Sequence, residues 1–409
     1  MATRLAASWK EAPFLPLAAP WFDSAERNEV LATLDSDWIT TGPRTQRFEI
    51  EFAAYVGASY AVAVNSCTAA LHLSLAALEI GPGDCVVTSP FTFVATANVI
   101  VHQGADPIFI DIDPATYNLD TGKLEEFVTR ECSWVPEQKC LRVHSTGKRL
   151  RAIIAVHYGG HPCDMEAITR IAEQFGLFVI EDAAHALGAV YREKRVGVLG
   201  DTACFSFYPT KNISTVEGGM LTTNNPALAE RARVLTLHGI DRDAWNRYAK
   251  DGSWQYDITA AGFKYNMTDV SAACGIHQLQ KLPSFLARRE ELACRYSNGL
   301  GRLPLQQPTI SPGVSSAWHL YPVQVLSDQI TRDELIEALR AVKIGTSVHF
   351  IPLHLMTYYQ RTLGYKRGDF PVAEQVFARI VSLPLFPRMT NNDLERVVRA
   401  VHDILTARC

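Results

Sequence analysis

Short, continuous runs of apolar and β-branched residues recur from about residue 60 onward, and longer stretches with helical spacing fall between them. The runs predict strands over residues 85–89, 107–111, 152–157, 178–181, 202–207 and 220–223, with helices over 68–78, 165–175 and 227–235. Most of these strands are apolar throughout rather than alternating, the pattern of strands covered by helices on both faces. Strand, helix, strand in succession predicts a layered α/β domain around a mainly parallel sheet. Residues 129–150 break the rhythm, being polar, containing ECSWVPEQK and keeping no period, so a surface excursion is expected there. After a boundary near residues 282–289, helical patterns at 332–342 and 391–406 mark a smaller α/β unit. The expected division is a large domain over 31–282 and a small one over 283–409, with residues 1–30 packing against the small one.

Composition narrows the class. With 47% hydrophobic and 20% charged residues the chain can fill a core and stay soluble. The net charge of -4 comes from mixed signs with no basic run, so neither a nucleic-acid footprint nor a polybasic membrane patch is present. Nine scattered cysteines fit free thiols in a reducing compartment. Lys10 and Glu11 interrupt the first apolar stretch, and nothing approaches the roughly 20 apolar residues of a membrane span, so a cytoplasmic protein is expected. Cys132 and Cys140 lack zinc-knuckle spacing, and no metal is expected.

Three stretches carry candidate chemistry. In FSFYPTKNISTVEGGM, Lys211 follows a strand and precedes a glycine pair suited to close backbone approach. A lysine partly desolvated against a sheet offers a neutral amine to an aldehyde, although a loop lysine taken alone is more often a surface residue. In VIEDAAHALGAVY, Asp182 ends a buried strand, at the edge where open α/β sheets bind ligands. A carboxylate there can hold a pyridine nitrogen protonated, or simply cap the next helix. In VNSCTAALHLSLAAL, Asn65, Ser66 and Thr68 introduce a helix whose free N–H groups suit a phosphate, though Ser and Thr there are ordinary caps. Cys67 has no identifiable base and is read as contributing its backbone. No G-x-G-x-x-G motif follows the first strand, which argues against a nicotinamide dehydrogenase.

Taken in order, WITTGP, SPFTFVATAN, VHYGGHPCDM, EDAAHALG, FSFYPTKN with EGG, KYNMTDV, AWHLYPV, GTSVHF and SLPLFPRMT resemble the DegT/DnrJ-type sugar aminotransferases over nearly the whole chain. They look closest to the branch that aminates a UDP-4-keto-pentose for lipid A modification. The resemblance implies the aspartate aminotransferase fold, that is, fold type I of the pyridoxal-phosphate enzymes. Its large domain holds a mainly parallel seven-stranded sheet, beside a smaller C-terminal α/β domain. It also implies pyridoxal 5'-phosphate as cofactor, Lys211 as Schiff-base lysine and proton shuttle, and Asp182 as partner of the pyridine nitrogen. Phe93 would stack on the ring, with a core phenylalanine as the alternative, and Cys67, Thr68 and Ser206 would cradle the phosphate. Asn266 would reach the phosphate from a partner subunit, making a homodimer with shared active sites. His185 stands where many members have Gln and would bond the cofactor's ring oxygen; Cys67 stands where many have Gly.

The expected substrates are a nucleotide-linked 4-keto sugar and, as amino donor, L-glutamate, in the biosynthesis of surface polysaccharide, lipopolysaccharide or another glycan. His319, His349 and His354 are candidate contacts for the acceptor or else buried or surface histidines. Two alternatives are weighed against transamination. A sugar dehydratase of the same family would carry His in place of Lys211, and a non-catalytic relative would have lost part of the lysine, ring-partner and phosphate-cradle set.

Overall fold

The computed structural model describes residues 12–241 and 256–406, so part of the expected N-terminal segment lies outside the described residues. In chain order, α1 (Ser24–Leu34) and α2 (Pro43–Val56) precede β1 (Tyr60–Val64), α3 (Cys67–Ala77), β2 (Asp84–Thr88), α4 (Ala95–His102) and β3 (Asp106–Phe109). Next come α5 (Thr121–Arg130), β4 (Cys132–Val135), β5 (Cys140–Val143), β6 (Arg149–Val156), α6 (Met165–Phe175) and β7 (Phe178–Asp182). A short pair, β8 (Val190–Tyr191) and β9 (Lys194–Arg195), leads to β10 (Thr202–Ser206), β11 (Gly219–Thr223), α7 (Pro226–Thr236) and the long α8 (Asp269–Leu300).

The main sheet runs β1-β11-β10-β7-β6-β2-β3, seven strands in which β11 alone is antiparallel to its neighbours. All six predicted strands are present in it. Successive residues of one strand serve opposite faces. Val86, Ile154 and Ile180 join Leu71, Leu75 and Leu235 on one face, while Val87, Ile153 and Val179 join Leu124, Ile168 and Ile171 on the other. Beneath β10 and β11, Phe205 and Phe207 meet Phe48 and Phe52 with ring centroids 5.0–5.5 Å apart. Burial of each such ring contributes about 1.5–3 kcal/mol. Because β1, β2, β6, β7 and β10 run the same way, the residues following all five gather along one edge.

Residues 129–150 are not an irregular excursion. β4 and β5 form a hairpin, and β5 pairs with β6 through Leu141↔Leu150 and Arg142↔Arg149. Cys132, Leu141 and Val143 are buried in the same core as Ile153 and Val179. The polar composition hid this because only one face of the hairpin is apolar, and it extends the sheet at the amino end of β6, opposite the ligand edge.

The expected boundary near 282–289 falls inside α8, which runs unbroken for 32 residues through Pro283. Its first half (Ala272, Ile276, Leu279, Leu282) packs under the main sheet, and its second half (Leu292, Ala293, Tyr296, Leu300) belongs to a separate core. That second core is completed by β12 (Leu305–Gln306) and β14 (Tyr321–Val325), with β13 (Val314–Ser315) reaching back to β8. After α9 (Arg332–Ala341), α10 (Thr357–Leu363) and α11 (Pro371–Arg379), β15 (Ile380–Leu383) pairs with β14, and α12 (Asn391–Thr406) closes the chain's described part. Of the N-terminal stretch, Leu15 bridges to Ile344 and is buried in this core, whereas Trp21 stacks on Phe285 and Glu26 pairs with Lys281 along α8.

Candidate active site

Lys211 sits in a loop closed by the sheet itself. Beyond β10, the Phe207 amide donates to the Gly218 carbonyl at 2.9 Å and the Thr215 amide to the Phe207 carbonyl at 3.0 Å, pinching off residues 208–217. Within it the Lys211 amide donates to the Tyr208 carbonyl (2.8 Å), and Asn212 Nδ2 donates to the carbonyl of Ala317 at 2.8 Å. Burial lowers the Lys211 pKa to about 8 against the opposing pull of Cys67 and Asp182. A lysine so placed is partly a free amine at neutral pH.

Asp182, at the end of β7, is buried, and its pKa is raised by that burial against the lowering effect of hydrogen bonds and of Lys211. Its Oδ2 accepts from the Thr96 hydroxyl at 2.7 Å and its Oδ1 from the Ala184 amide at 3.2 Å. The preceding Glu181 points to the other face, as strand alternation requires. There it accepts the amides of Gly197, Leu199 and Gly200 and faces His157 Nε2 at 3.1 Å. Cys163 donates its amide to His157 Nδ1, so the imidazole proton lies on Nε2 toward Glu181. This buried pair fixes β7, which ends in Asp182, and the turn before β10, the strand that leads to the Lys211 loop.

The expected phosphate cradle is the start of α3. Ser66 caps the helix by accepting the Ala69 amide at 3.1 Å, and the first-turn amides of Cys67 and Thr68 have no acceptor within the helix. Gly219, in register with Ser206, lies directly behind: a Cβ there would meet the Ser66 carbonyl carbon at 2.4 Å and the Cys67 nitrogen at 2.6 Å. Cys67 turns its Sγ away to the Cys204 carbonyl (3.4 Å), and burial pushes its pKa well up, so it stays a neutral thiol. Asn266 bridges to Val64, just before the cradle; its Nδ2 donates to Thr41 Oγ1 at 2.7 Å and its Oδ1 accepts from Lys264 at 2.5 Å.

Phe93 is 61% exposed, which sets aside the core-phenylalanine alternative, and its ring lies 6.3 Å from that of Phe350. His185 packs at 4.3 Å from His319 and stacks at 5.8 Å on Phe350. The Gly159 amide donates to His185 Nδ1 at 3.3 Å, leaving Nε2 as the protonated, donating nitrogen. Burial and then the Lys211 charge hold His349 at about 4, and burial holds His185 and His319 well below the usual histidine range. His349 bonds Ser382 Oγ at 2.9 Å, while His319 Nδ1 is buried without a partner. His354 is not with them: it is fully buried, pairs with Glu374 at 2.9 Å and packs on Phe370. Sequence reading missed Thr96 and Phe350, although both stand inside motifs that carried the resemblance. It had no means to find contacts made so far along the chain.

This donor set fits a phosphate-bearing pyridine aldehyde. An amine of low basicity stands near a buried carboxylate, a helix start opens to an anion with no room for a side chain behind it, and an aromatic ring is left uncovered. Among the described residues there is no group of three or more His, Cys, Asp and Glu placed to hold a metal ion, and no helix is long and apolar enough to cross a membrane.

Comparison with known proteins gives concordant results. Residues 20–402 match the DegT/DnrJ/EryC1/StrS aminotransferase family. The chain is 52% identical over 396 residues to the protein MJ1066 of Methanocaldococcus jannaschii, covering 96% of this chain and 98% of that one. It is 49% identical to the spore coat polysaccharide biosynthesis protein SpsC of Bacillus subtilis, covering 96% and 97%. Among solved structures, the putative sugar aminotransferase Spr1654 of Streptococcus pneumoniae in its PMP-form superposes with a TM-score of 0.86 at 31% identity, covering 97% of this chain and 100% of that one.

Proposed function

We propose, for a chain that belongs to the DegT/DnrJ/EryC1/StrS aminotransferase family, that it transfers the amino group of glutamate to the carbon-4 carbonyl of a nucleotide-activated sugar, with pyridoxal 5'-phosphate held at Lys211. The observation that carries this is the meeting of Lys211, its ammonium disfavoured by burial, with the carboxylate of Asp182 at the ligand edge of the sheet. The bound cofactor supplies an aldehyde and an electron-withdrawing ring. Lys211 Nζ would hold that aldehyde and, when free of it, would carry a proton to and from the reacting carbon. Asp182 keeps the ring nitrogen protonated, Phe93 covers the ring face, and His185 Nε2 donates to the ring oxygen. The amides of Cys67 and Thr68, with Ser206, hold the phosphate. His319 and His349, both neutral, wall the space left for a polyhydroxylated acceptor without adding charge.

The sugar acceptor is supported by the names of two compared proteins, a spore coat polysaccharide biosynthesis protein and a putative sugar aminotransferase. Asn266 as a partner's contribution, and hence a symmetric homodimer, rests on the KYN motif. Lys211 itself disfavours the dehydratase reading. Borohydride treatment of the holoenzyme should fix the cofactor to the peptide containing Lys211; attachment to another lysine would overturn the site. Incubation with glutamate and UDP-, dTDP- and GDP-4-keto sugars should give an aminated product by mass from one of them. No product from any, with the cofactor still trapped at Lys211, would reject the sugar acceptor and leave the cofactor site standing.

A further inference from the structure

The helix α4 carries a buried hydroxyl in its first turn. Inside helices a threonine can return its hydroxyl to the carbonyl four residues back, as Thr33, Thr129, Thr169 and Thr406 do at 2.5–2.8 Å. Thr96, the second residue of α4, has no helical carbonyl four residues back. It crosses to Asp182 Oδ2 at 2.7 Å, and behind it Thr92 Oγ1 lies 2.8 Å from Thr96 Oγ1. All three groups are buried, with Thr92 at 2%, Thr96 at 0% and Asp182 at 6% exposure.

Counting hydrogens gives this chain a direction. A hydroxyl has one hydrogen to donate, and Thr96 gives it to an ionised Asp182, so toward Thr92 it can only accept. Thr92 therefore donates to Thr96, and Thr96 to Asp182. Were Asp182 protonated and donating, both bonds would have to reverse. The hydrogen bond from Thr96 acts against the effect of burial and favours the ionised carboxylate; it occupies Oδ2, while Oδ1 takes the Ala184 amide. The remaining lone pairs of both oxygens are left for the ligand edge. The other groups that act on Asp182 or feel it are Lys211, His157, Cys67 and Cys204. Lys211 favours its charge, His157 keeps its one proton toward Glu181, and the two buried thiols stay neutral. Phe93, lying between the two threonines in sequence, faces outward into the site, so one short segment delivers both the ring cover and the relay.

We infer that Thr96, backed by Thr92, is a positioning residue that orients Asp182 and keeps it ionised beneath the cofactor's ring nitrogen. The inference rests on the reading of Asp182 given above. Without the donated hydrogen the carboxylate becomes a stronger base, takes a larger share of the proton it holds with the ring, and leaves the ring less positive. The cofactor bound at Lys211 should then keep its own proton to higher pH.

The test is a pH titration of the bound cofactor's visible band in the holoenzyme, with its dissociation constant measured alongside. Thr96→Val should raise the titration midpoint by about one pH unit, weaken cofactor binding severalfold, and lower kcat about tenfold with little change in KM. Thr96→Ser, which keeps the hydroxyl, should titrate like the native protein. Thr92→Val keeps the direct bond to Asp182 and should move the midpoint in the same direction by less; it decides the matter if Thr96→Val does not fold. A native midpoint in Thr96→Val, or a serine variant that titrates like the valine variant, would overturn the inference. Asp182→Asn separates the two claims. If it moves the midpoint and Thr96→Val does not, only the relay fails; if Asp182→Asn itself leaves the midpoint unchanged, the role of Asp182 fails with it.

Discussion

Lys211 differs from an ordinary lysine in one measurable respect, the pH at which its amine becomes free. Burial brings its pKa to about 8, so the apoenzyme should capture pyridoxal 5'-phosphate at a rate that rises with pH and reaches half its maximum near 8. Stopped-flow absorbance over pH 6–10 would check this; a rate still climbing steeply at pH 10 would mean an exposed lysine. The histidines work in the opposite sense. His349 is neutral in the fold down to about 4, while in the unfolded chain it takes a proton near 6.5. The unfolded state therefore binds more protons between those values, and stability is lost as pH falls from 6.5 toward 4. The melting temperature of the apoenzyme should fall over that window, and His349→Gln should flatten the fall. Lys211 and Asp182 stood out in the sequence because one follows and the other ends a strand pattern, each in a distinctive string. Thr96 was not, since its partner lies 86 residues away and a threonine near a helix start has a commonplace role.

Helix α3 depends on its neighbour strand for the geometry of the cradle. Gly219 allows β11 to pass against the Ser66 to Cys67 peptide, and a methyl group would meet backbone, which cannot rotate out of the way. Gly219→Ala should push the first turn of α3 off the strand and weaken cofactor binding by about 10- to 100-fold, a usual result of overpacking. Fluorescence titration of the apoenzyme would measure it; native affinity would place the phosphate elsewhere. The strands flanking this cradle were readable as apolar runs, with the exception of β1, whose YAVAV interleaves valine with alanine, a weak strand former. The β4–β5 hairpin was not readable, because its pairing with β6 and not its own composition decides its state. Nor was the passage of α8 between two cores, since Pro283 in a sequence reads as a stop and here is carried within a helix anchored at both ends.

At the scale of the molecule, the site draws on both cores. Asp182 ends a strand of the main sheet and Lys211 sits in the loop beyond another, while His319 and His349 come from the chain beyond α8, tied in by Arg289. That guanidinium is buried and donates to the carbonyls of Trp318, His319 and Leu385. Beside the site Val216 is 60% exposed, and Phe93, proposed to cover the cofactor's ring, is 61% exposed. In the proposed homodimer Asn266 reaches the other subunit's phosphate, yet within one chain Asn266 is already engaged by Thr41 and Lys264. These two arrangements make opposite predictions for mixed subunits. If Asn266 serves the partner, a dimer of Lys211→Ala with Asn266→Ala holds one doubly damaged site and one intact site. Equal mixing then makes half the dimers hybrid, and about a quarter of the native activity should return. If Asn266 serves its own chain, each subunit of the hybrid keeps its own defect and nothing returns. Confirmed hybrids with no recovery, where Asn266→Ala alone is inactive, would assign the residue to its own cradle, next to Val64, and remove the strongest argument for a shared site.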